Sequence, residues 1–323
     1  MSDSFAVEAL SLTHRYGKRL ALDQVSFNVR AGEIFGLIGP NGGGKSTIFR
    51  ILATLILPTS GTAKVAGFDI RREAASVRRH LGVVFQSPGL DKKLTVMENL
   101  KHQGHLYGMS GKSLITRANH LMERMGLSDR AGDLVETLSG GLKRRLEIIR
   151  GLLHGPELLI LDEPTTGLDP LVRREVWDYL KQLRANENLT CLVTTHLLEE
   201  ADACDRIALL DRGKIVAFDS PSALKSSLGG DIISMRARAP VQLRDDIAAR
   251  FGLEASVVEQ EVRIERSAGH EFIPQLISAF PTQIESVTLG KPTLEDFFIQ
   301  RTGRRFWQAD GNSDESRQEG RDH

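Results

Sequence analysis

Gly39-Pro40-Asn41-Gly42-Gly43-Gly44-Lys45-Ser46-Thr47 has the form G-x-x-x-x-G-K-[ST], the phosphate-binding P-loop. Ile34-Phe35-Gly36-Leu37-Ile38, just before it, is short and apolar and reads as a buried strand. Ile48, Ile51, Leu52 and Leu55, just after it, share the spacing of one helix face. Strand, glycine-rich turn and helix form the context the motif needs. Glycines let the loop curl its N–H groups around phosphate oxygens without Cβ clashes, and the helix N-terminus adds unpaired donors. Lys45 can reach the β- and γ-phosphates, and Ser46 can ligate Mg²⁺.

Upstream, Val7, Leu10 and Leu12, then Val25, Phe27 and Val29, alternate as two antiparallel strands flanking a turn at Tyr16-Gly17-Lys18. Tyr16 could stack on an adenine ring or be an ordinary surface aromatic. Downstream, Pro58 to Gly61 is a turn cluster, Thr62 to Phe68 reads as a strand, and 71–80 as a helix with a basic face. Leu81 to Phe85 is a further apolar strand ending at Gln86, an amide placed either to face a ligand or as an ordinary strand end. Residues 95–128 read as helical throughout, with Thr95 and Glu98 spaced as a capping box. His102, His105 and His120 lie there, and without a cysteine or carboxylate cluster they read as solvated helix residues. Ser139-Gly140-Gly141 opens a helix carrying Leu142, Leu146, Ile149 and Leu153, which makes either a second anion site or a plain Ser cap.

Leu158-Leu159-Ile160-Leu161 runs into Asp162-Glu163-Pro164, a buried strand ending in two carboxylates, the form of a Walker B element. At a strand's C-terminal end in an α/β sheet, Asp162 would hold Mg²⁺ and Glu163 would polarise the attacking water. Thr166 to Pro170 is a turn opening the helix of Val172, Val176, Tyr179 and Leu183. Leu189 to Thr195 is another parallel strand; His196 at its end could bind a γ-phosphate or be structural. Glu199 and Glu200 open a helix, 207–218 forms a hairpin turning at Asp211-Arg212-Gly213, and a helix over 221–228 closes the first domain. Beyond Gly229-Gly230 the pattern is β-α-β-β-α-β, a small ferredoxin-like domain, then a helix from Thr293 to Arg301. From Gly303 to His323 the chain is polar and reads as disordered.

The whole chain is consistent with this. Its 323 residues suit two domains, and charge balances, 42 basic against 42 acidic, so no bulk field points to nucleic acid or an anionic surface. Cys191 and Cys204 form no disulfide framework and fit buried thiols in a reducing cytosol. Met1 to Leu12 carries Asp3 and Glu8 and no long apolar run, so it does not read as a signal peptide. No run of about 18 apolar residues spans a membrane, so a membrane role needs a separate partner.

The P-loop, Gln86, Leu138-Ser139-Gly140-Gly141, Asp162-Glu163, Gly167-Leu168-Asp169 and His196, in that order, closely resemble the nucleotide-binding subunit of an ABC transporter, over roughly residues 5–225. The resemblance implies an α/β P-loop NTPase cassette: a parallel sheet core, an antiparallel β subdomain and a helical insertion at about 87–155. The residue pattern places the cassette at 1–228, the small α+β domain at 229–302 and the tail at 303–323. The resemblance implies ATP hydrolysis with ATP and Mg²⁺ as cofactors, with Tyr16 stacking the adenine, Gln86 touching Mg²⁺ and sensing the membrane partner, His196 as the switch histidine and Asp169 in the D-loop. In that family the signature of one cassette faces the P-loop of another. The expected partners are therefore a second, identical cassette and a separate polytopic permease, at the cytoplasmic face of the membrane. Leu142 stands where the signature usually carries Gln, and Gly43 where Ala is commoner; Ser139 and the Gly141 N–H remain as donors. Residues 231–301, with Pro292 to Phe298, are similar to the extension of ATPases serving drug, lipid and polysaccharide exporters, and a regulatory or dimer-supporting role is expected of them. The competing class, a soluble ABC ATPase on ribosomes or DNA, usually carries two cassettes, a coiled coil or zinc-binding cysteines; no nucleic-acid partner is expected here.

Overall fold

The computed structural model describes residues 4–306. They divide into two compact units, one ending at Phe218 and one beginning at Asp219, upstream of the Gly229-Gly230 pair.

The first unit opens with β1 (Phe5–Tyr16) and β2 (Arg19–Arg30), antiparallel with Val7 opposite Val29 and Tyr16 opposite Arg19. β3 (Ile34–Ile38) is buried along its whole length and leads through the P-loop into α1 (Lys45–Leu52). β4 (Ser60–Val65), β5 (Phe68–Asp69), α2 (Ala74–His80) and β6 (Leu81–Val84) follow. Then come α3 (Val96–Leu106), α4 (Gly111–Arg124) and α5 (Gly140–Leu152). The alternation resumes with β7 (Leu158–Asp162), α6 (Pro170–Glu187), β8 (Thr190–Thr195) and the hairpin β9 (Arg206–Asp211) and β10 (Lys214–Asp219).

Two sheets result. One has the order β2-β1-β4-β5, and the other β10-β9-β3-β8-β7-β6, in which β9, β3, β8, β7 and β6 pair parallel. They share one apolar core. Val7, Leu12, Val25 and Phe27 of the first sheet pack with Phe35 and Leu37 of β3 and Ile48 and Phe49 of α1, and Phe27 stacks on Phe35 at 5.7 Å. At about 1.5–3 kcal/mol per fully buried large apolar side chain, this layer outweighs any single cap or turn. Its main consequence is directional. In a parallel sheet all C-terminal strand ends lie on one edge, so the segments leaving β3, β6, β7 and β8 emerge together.

Four elements differ from the sequence expectation. α1 stops at Leu52, Thr54 turns to φ 57°, and Leu55 is left 56% exposed. The strand expected over 62–68 breaks at Ala66-Gly67, where φ is 49° and 81°, a two-residue hairpin turn. The helix expected over 95–128 breaks after Leu106 at Gly108, φ 75°, and its second half ends at Arg124, with Gly126 at φ 64° before a short 3₁₀ segment, Ser128–Arg130. Glu199 and Glu200 lie in a single 3₁₀ stretch, Leu198–Ala203. The Thr95 box does form, Oγ1 accepting from the Glu98 N–H at 3.2 Å and the Glu98 carboxylate from the Thr95 N–H at 2.8 Å.

The second unit contains α7 (Pro221–Ser226), β11 (Asp231–Ala237), α8 (Pro240–Phe251), β12 (Ser256–Val258), β13 (Glu261–Arg266), α9 (Gly269–Ala279), β14 (Ile284–Gly290) and α10 (Leu294–Thr302). Its antiparallel sheet runs β12-β13-β11-β14, the ferredoxin-like order. Ile233, Met235, Val262 and Ile264 meet Leu243, Ile247, Phe272 and Leu276 in its core. α10 carries its own capping box, Thr293 with Asp296, and packs with α7. Of the tail expected from 303, Phe306 packs edge-on against Phe298 at 5.0 Å; residues 307–323 lie outside the described residues.

Candidate functional site

The P-loop is shaped by backbone before any ligand is considered. Gly42 and Gly44 take φ 74° and 112°. A Cβ on Gly44 would lie 2.7 Å from Leu22 Cδ2 and 3.0 Å from the Ala21 carbonyl, so only glycine passes there. A Cβ on Gly43 would meet only the Pro40 carbonyl closely, at 3.0 Å, and Gly43 has ordinary φ, which fits Ala being commoner at that position. The β9–β10 turn braces the loop: the Gly213 N–H donates to the Gly43 carbonyl at 3.0 Å, and the Gly39 Cα lies against the Leu210 carbonyl, 2.4 Å from where a Cβ would sit. Lys45, almost fully buried, donates to the Gly39 and Pro40 carbonyls at 2.6 and 3.1 Å. A cavity of about 190 Å³ opens over the loop, bordered by Tyr16, Arg19, Asn41, Ser46, Thr47, Arg50 and Glu163 among others. Tyr16 is 42% exposed there, edge-on to His14 at 4.5 Å.

Glu163 is the hub of the arrangement. Gln86 Nε2 donates to its Oε2 at 3.1 Å, and the Thr166 hydroxyl donates to the same oxygen at 3.2 Å. Its Oε1 lies 3.8 Å from Lys45 Nζ and 3.2 Å from His196 Nδ1, the latter within ionic reach but not aligned as a hydrogen bond. The four groups come from α1, the ends of β6 and β8, and the turn after β7, which the parallel sheet brings to one edge. Glu163 itself sits at φ 45°, a left-handed conformation that costs a side-chain-bearing residue about 1–2 kcal/mol. Its N–H is held by the Thr194 carbonyl at 3.1 Å and the Thr194 hydroxyl at 3.0 Å. That hydroxyl in turn donates to Asp162 Oδ1 at 2.5 Å. Burial pushes the Asp162 carboxyl up from its ordinary range, and the neighbouring Glu163 charge adds to this; the Thr194 hydroxyl, Lys45 and Arg50 pull it back.

Ser139, Gly140 and Gly141 do not border that cavity, and neither does Asp169. They form a second cluster. Ser139 caps α5, its Oγ accepting from the Leu142 N–H at 3.3 Å. A Cβ on Gly141 would lie 2.6 Å from Val172 Cγ1, so the signature packs against the head of α6. Asp169 caps α6, accepting from the Leu171 and Val172 N–H groups at 3.1 Å each. One chain therefore presents two separate clusters: the P-loop with the Glu163 hub, and Ser139-Gly140-Gly141 with Asp169 at the head of α6.

Sequence reasoning passed over Thr166, Thr194, Arg19, Arg50, Arg144 and Glu147. Thr194 carried a signal, a hydroxyl near the end of a fully buried strand, just before His196. Arg144 and Glu147 carried another, opposite charges three apart on the face of α5 that also buries Gly141, Ile148 and Gly151. Arg144 Nε donates to the Pro164 carbonyl (2.7 Å), Nη1 to the Phe85 carbonyl (2.7 Å) and Glu147 Oε2 (2.8 Å), and Nη2 to the Asp162 carbonyl (3.2 Å).

Over 307 residues the chain is 38% identical to the daunorubicin/doxorubicin resistance ATP-binding protein DrrA of Streptomyces peucetius, and the alignment takes in 92% of each chain. The chain belongs to the ABC transporter family. The profile of that family matches residues 22–166 of this cassette. The cassette is also 39% identical to the Nod factor export ATP-binding protein I of Paraburkholderia xenovorans over 310 residues, 93% of this chain and 98% of that one. Among solved structures it is similar to a dimeric ATP-binding cassette in a post-hydrolysis state bound to ADP and phosphate, at 29% identity and a TM-score of 0.60, over 66% of this chain and 98% of that one. The cassette is thus an ATP-binding subunit of an ABC transporter, and it hydrolyses ATP.

Proposed function

We propose that this cassette drives export through a separate membrane subunit at the cytoplasmic face, closing head-to-tail with a second copy of itself around two ATP molecules. The observation that carries the reading is the convergence of Lys45, Gln86, His196 and Thr166 on Glu163 at one sheet edge. The names of the relatives, drug resistance and Nod factor export, support export as the direction. Among the described residues no helix is long and apolar enough to cross a membrane, which supports placing the pathway on another chain.

The roles follow from position. The Lys45 ammonium, now held by two carbonyls, would turn to the β- and γ-phosphates. Tyr16 would stack the adenine, and loop N–H groups between Asn41 and Thr47 would hold the phosphates, with Gly39 and Pro40 shaping the start of the loop. Ser139, Gly140 and Gly141 of the other cassette would close the γ-phosphate from the far side, with its Asp169 alongside. Glu163 would take the proton of the attacking water, with His196 and Gln86 orienting it. Mg²⁺ suits the donor set: Ser46, Asp162 and Gln86 offer hard oxygens, and the buried Asp162 carboxylate is a group whose ionised form a divalent cation would favour. When bound, Mg²⁺ neutralises developing phosphate charge. The second unit would act as a regulatory or dimer-supporting element.

The test is Glu163→Gln in the full chain. ATP binding should persist, ATP should convert the cassette to a lasting dimer in light scattering, and phosphate release should fall by roughly 10²–10⁴-fold. Normal hydrolysis by this variant would remove Glu163 as the base. The ATP-trapped variant should also retain a polytopic membrane protein from native membranes; ribosomal or DNA-associated partners in its place would defeat the export reading.

A further inference from the structure

We propose that Arg144 and Glu147 are positioning residues that transmit the state of the signature helix to Gln86 and Glu163. The inference rests on the proposed roles of Glu163 and of the signature at the opposing nucleotide.

α5 begins at the signature, and Arg144, Glu147 and Arg150 recur every third residue along it. Through Arg144 it holds the Phe85 carbonyl. Through Glu147 Oε1 it holds the Gly89 N–H at 2.9 Å, and Arg150 donates to the Gly89 carbonyl. Phe85 and Gly89 bracket Gln86. The same guanidinium holds the carbonyls of Asp162 and Pro164, which bracket Glu163. One helix face thus sets the positions of both residues, and Gln86 and Glu163 touch each other across the gap at 3.1 Å. Three of the guanidinium contacts fall on main-chain carbonyls, so a shift of α5 displaces backbone and not merely side chains.

Stability alone does not call for this arrangement. Arg144 and Glu147 are 6% and 7% exposed on a face that otherwise packs apolar residues. A buried ion pair gains little over well-packed apolar side chains of similar volume. A guanidinium can address separate carbonyls from one rigid plane, which an ammonium cannot. What the pair supplies is a fixed relation between three segments: the signature helix, the turn carrying Gln86 and the turn carrying Glu163. When Ser139-Gly140-Gly141 engages the opposing γ-phosphate, the shift of α5 passes through Arg144 and Glu147 into the geometry of the chain's own hydrolytic site.

The test uses the full-length chain with ATP and Mg²⁺. Arg144→Lys keeps the charge beside Glu147 but loses the fork. Turnover should fall roughly 10- to 100-fold while KM for ATP and the thermal midpoint stay near the parent values, because a misplaced catalytic group costs rate and not binding. Hydrogen–deuterium exchange supplies a readout that packing alone would not move. In the Glu163→Gln background with ATP, adding Ser139→Ala should raise deuterium uptake over 85–91, and should add nothing once Arg144→Lys is present. Equal effects of Ser139→Ala in both backgrounds, or a joint loss of binding, midpoint and turnover in Arg144→Lys, would overturn the proposal. Should Arg144→Lys not fold, Glu147→Gln, which keeps an acceptor for Gly89 and loses the charge, is read by the same exchange cycle. Normal hydrolysis by Glu163→Gln alone would defeat the base assignment, while the exchange cycle would still decide the coupling.

Discussion

Gly44 and Gly43 are adjacent and chemically identical, yet the structure asks different things of them. Gly44→Ala forces a Cβ into a left-handed backbone and against Leu22, at about 1–3 kcal/mol for the backbone alone. It should weaken ATP binding by roughly tenfold or more, a loss of about 1.4 kcal/mol per decade, in a fluorescent-nucleotide titration. Gly43→Ala should bind within a few-fold of the parent. Cys191 and Cys204 offer a second contrast with their composition. Burial pushes the Cys191 thiol from 9.0 to about 12 and raises Cys204 as well, so neither ionises near neutrality. An aromatic disulfide reagent at pH 8 should label neither until the chain unfolds. The pH consequence has a definite sign: above pH 9 the unfolded chain loses thiol protons that the folded chain keeps until about 12. Stability from this source is therefore full below pH 9 and falls as pH rises through that window, read as a declining denaturation midpoint.

At the scale of elements, Thr95→Ala should remove the bond from the Glu98 N–H to the Thr95 hydroxyl while the residue-95 N–H still donates to Glu98, and cost about 1 kcal/mol, leaving ATP affinity unchanged. The pattern that reveals this cap is local, and so are the strand–loop–helix signal of the P-loop and the apolar runs ending at Gln86, Glu163 and His196. Those features were legible because a strand end in a parallel sheet is a functional position whatever surrounds it. Ala66-Gly67 was not, because an alanine at φ 49° is tolerated only once β4 and β5 pair on either side. The break after Leu106 was hidden because apolar spacing continues into α4, and Gly108 is a weak stop inside a strong period. Arg144 was the furthest from view. Its carbonyl partners lie 18 to 59 residues away along the chain, and no spacing within α5 encodes them. The two clusters were legible as motifs, but their separation within one chain emerges only when Gly141 is seen packed on Val172.

For the whole molecule, the division at Phe218–Asp219 decides where the chain can be cut. α7 lies in the second unit with α10, burying Leu224. A chain ending at Asp219 should remain monomeric, fold with a cooperative transition and bind ATP. One ending at Gly229 carries α7 without α10 and should aggregate more readily, as light scattering on heating would report. Gly230 belongs to the second unit's own packing, its φ of 157° bringing it where a Cβ would lie 2.5 Å from the backbone at Arg266-Ser267. The brace from Gly213 to Gly43 sets another boundary, on chain length and not on domains. Because the hairpin at Arg212-Gly213 touches the P-loop backbone directly, a one-residue insertion there would shift the donor out of register. Tag insertions, affinity handles and fluorescent-protein grafts at this outwardly ordinary turn should therefore silence nucleotide binding, while the same grafts at Gly108 leave it intact.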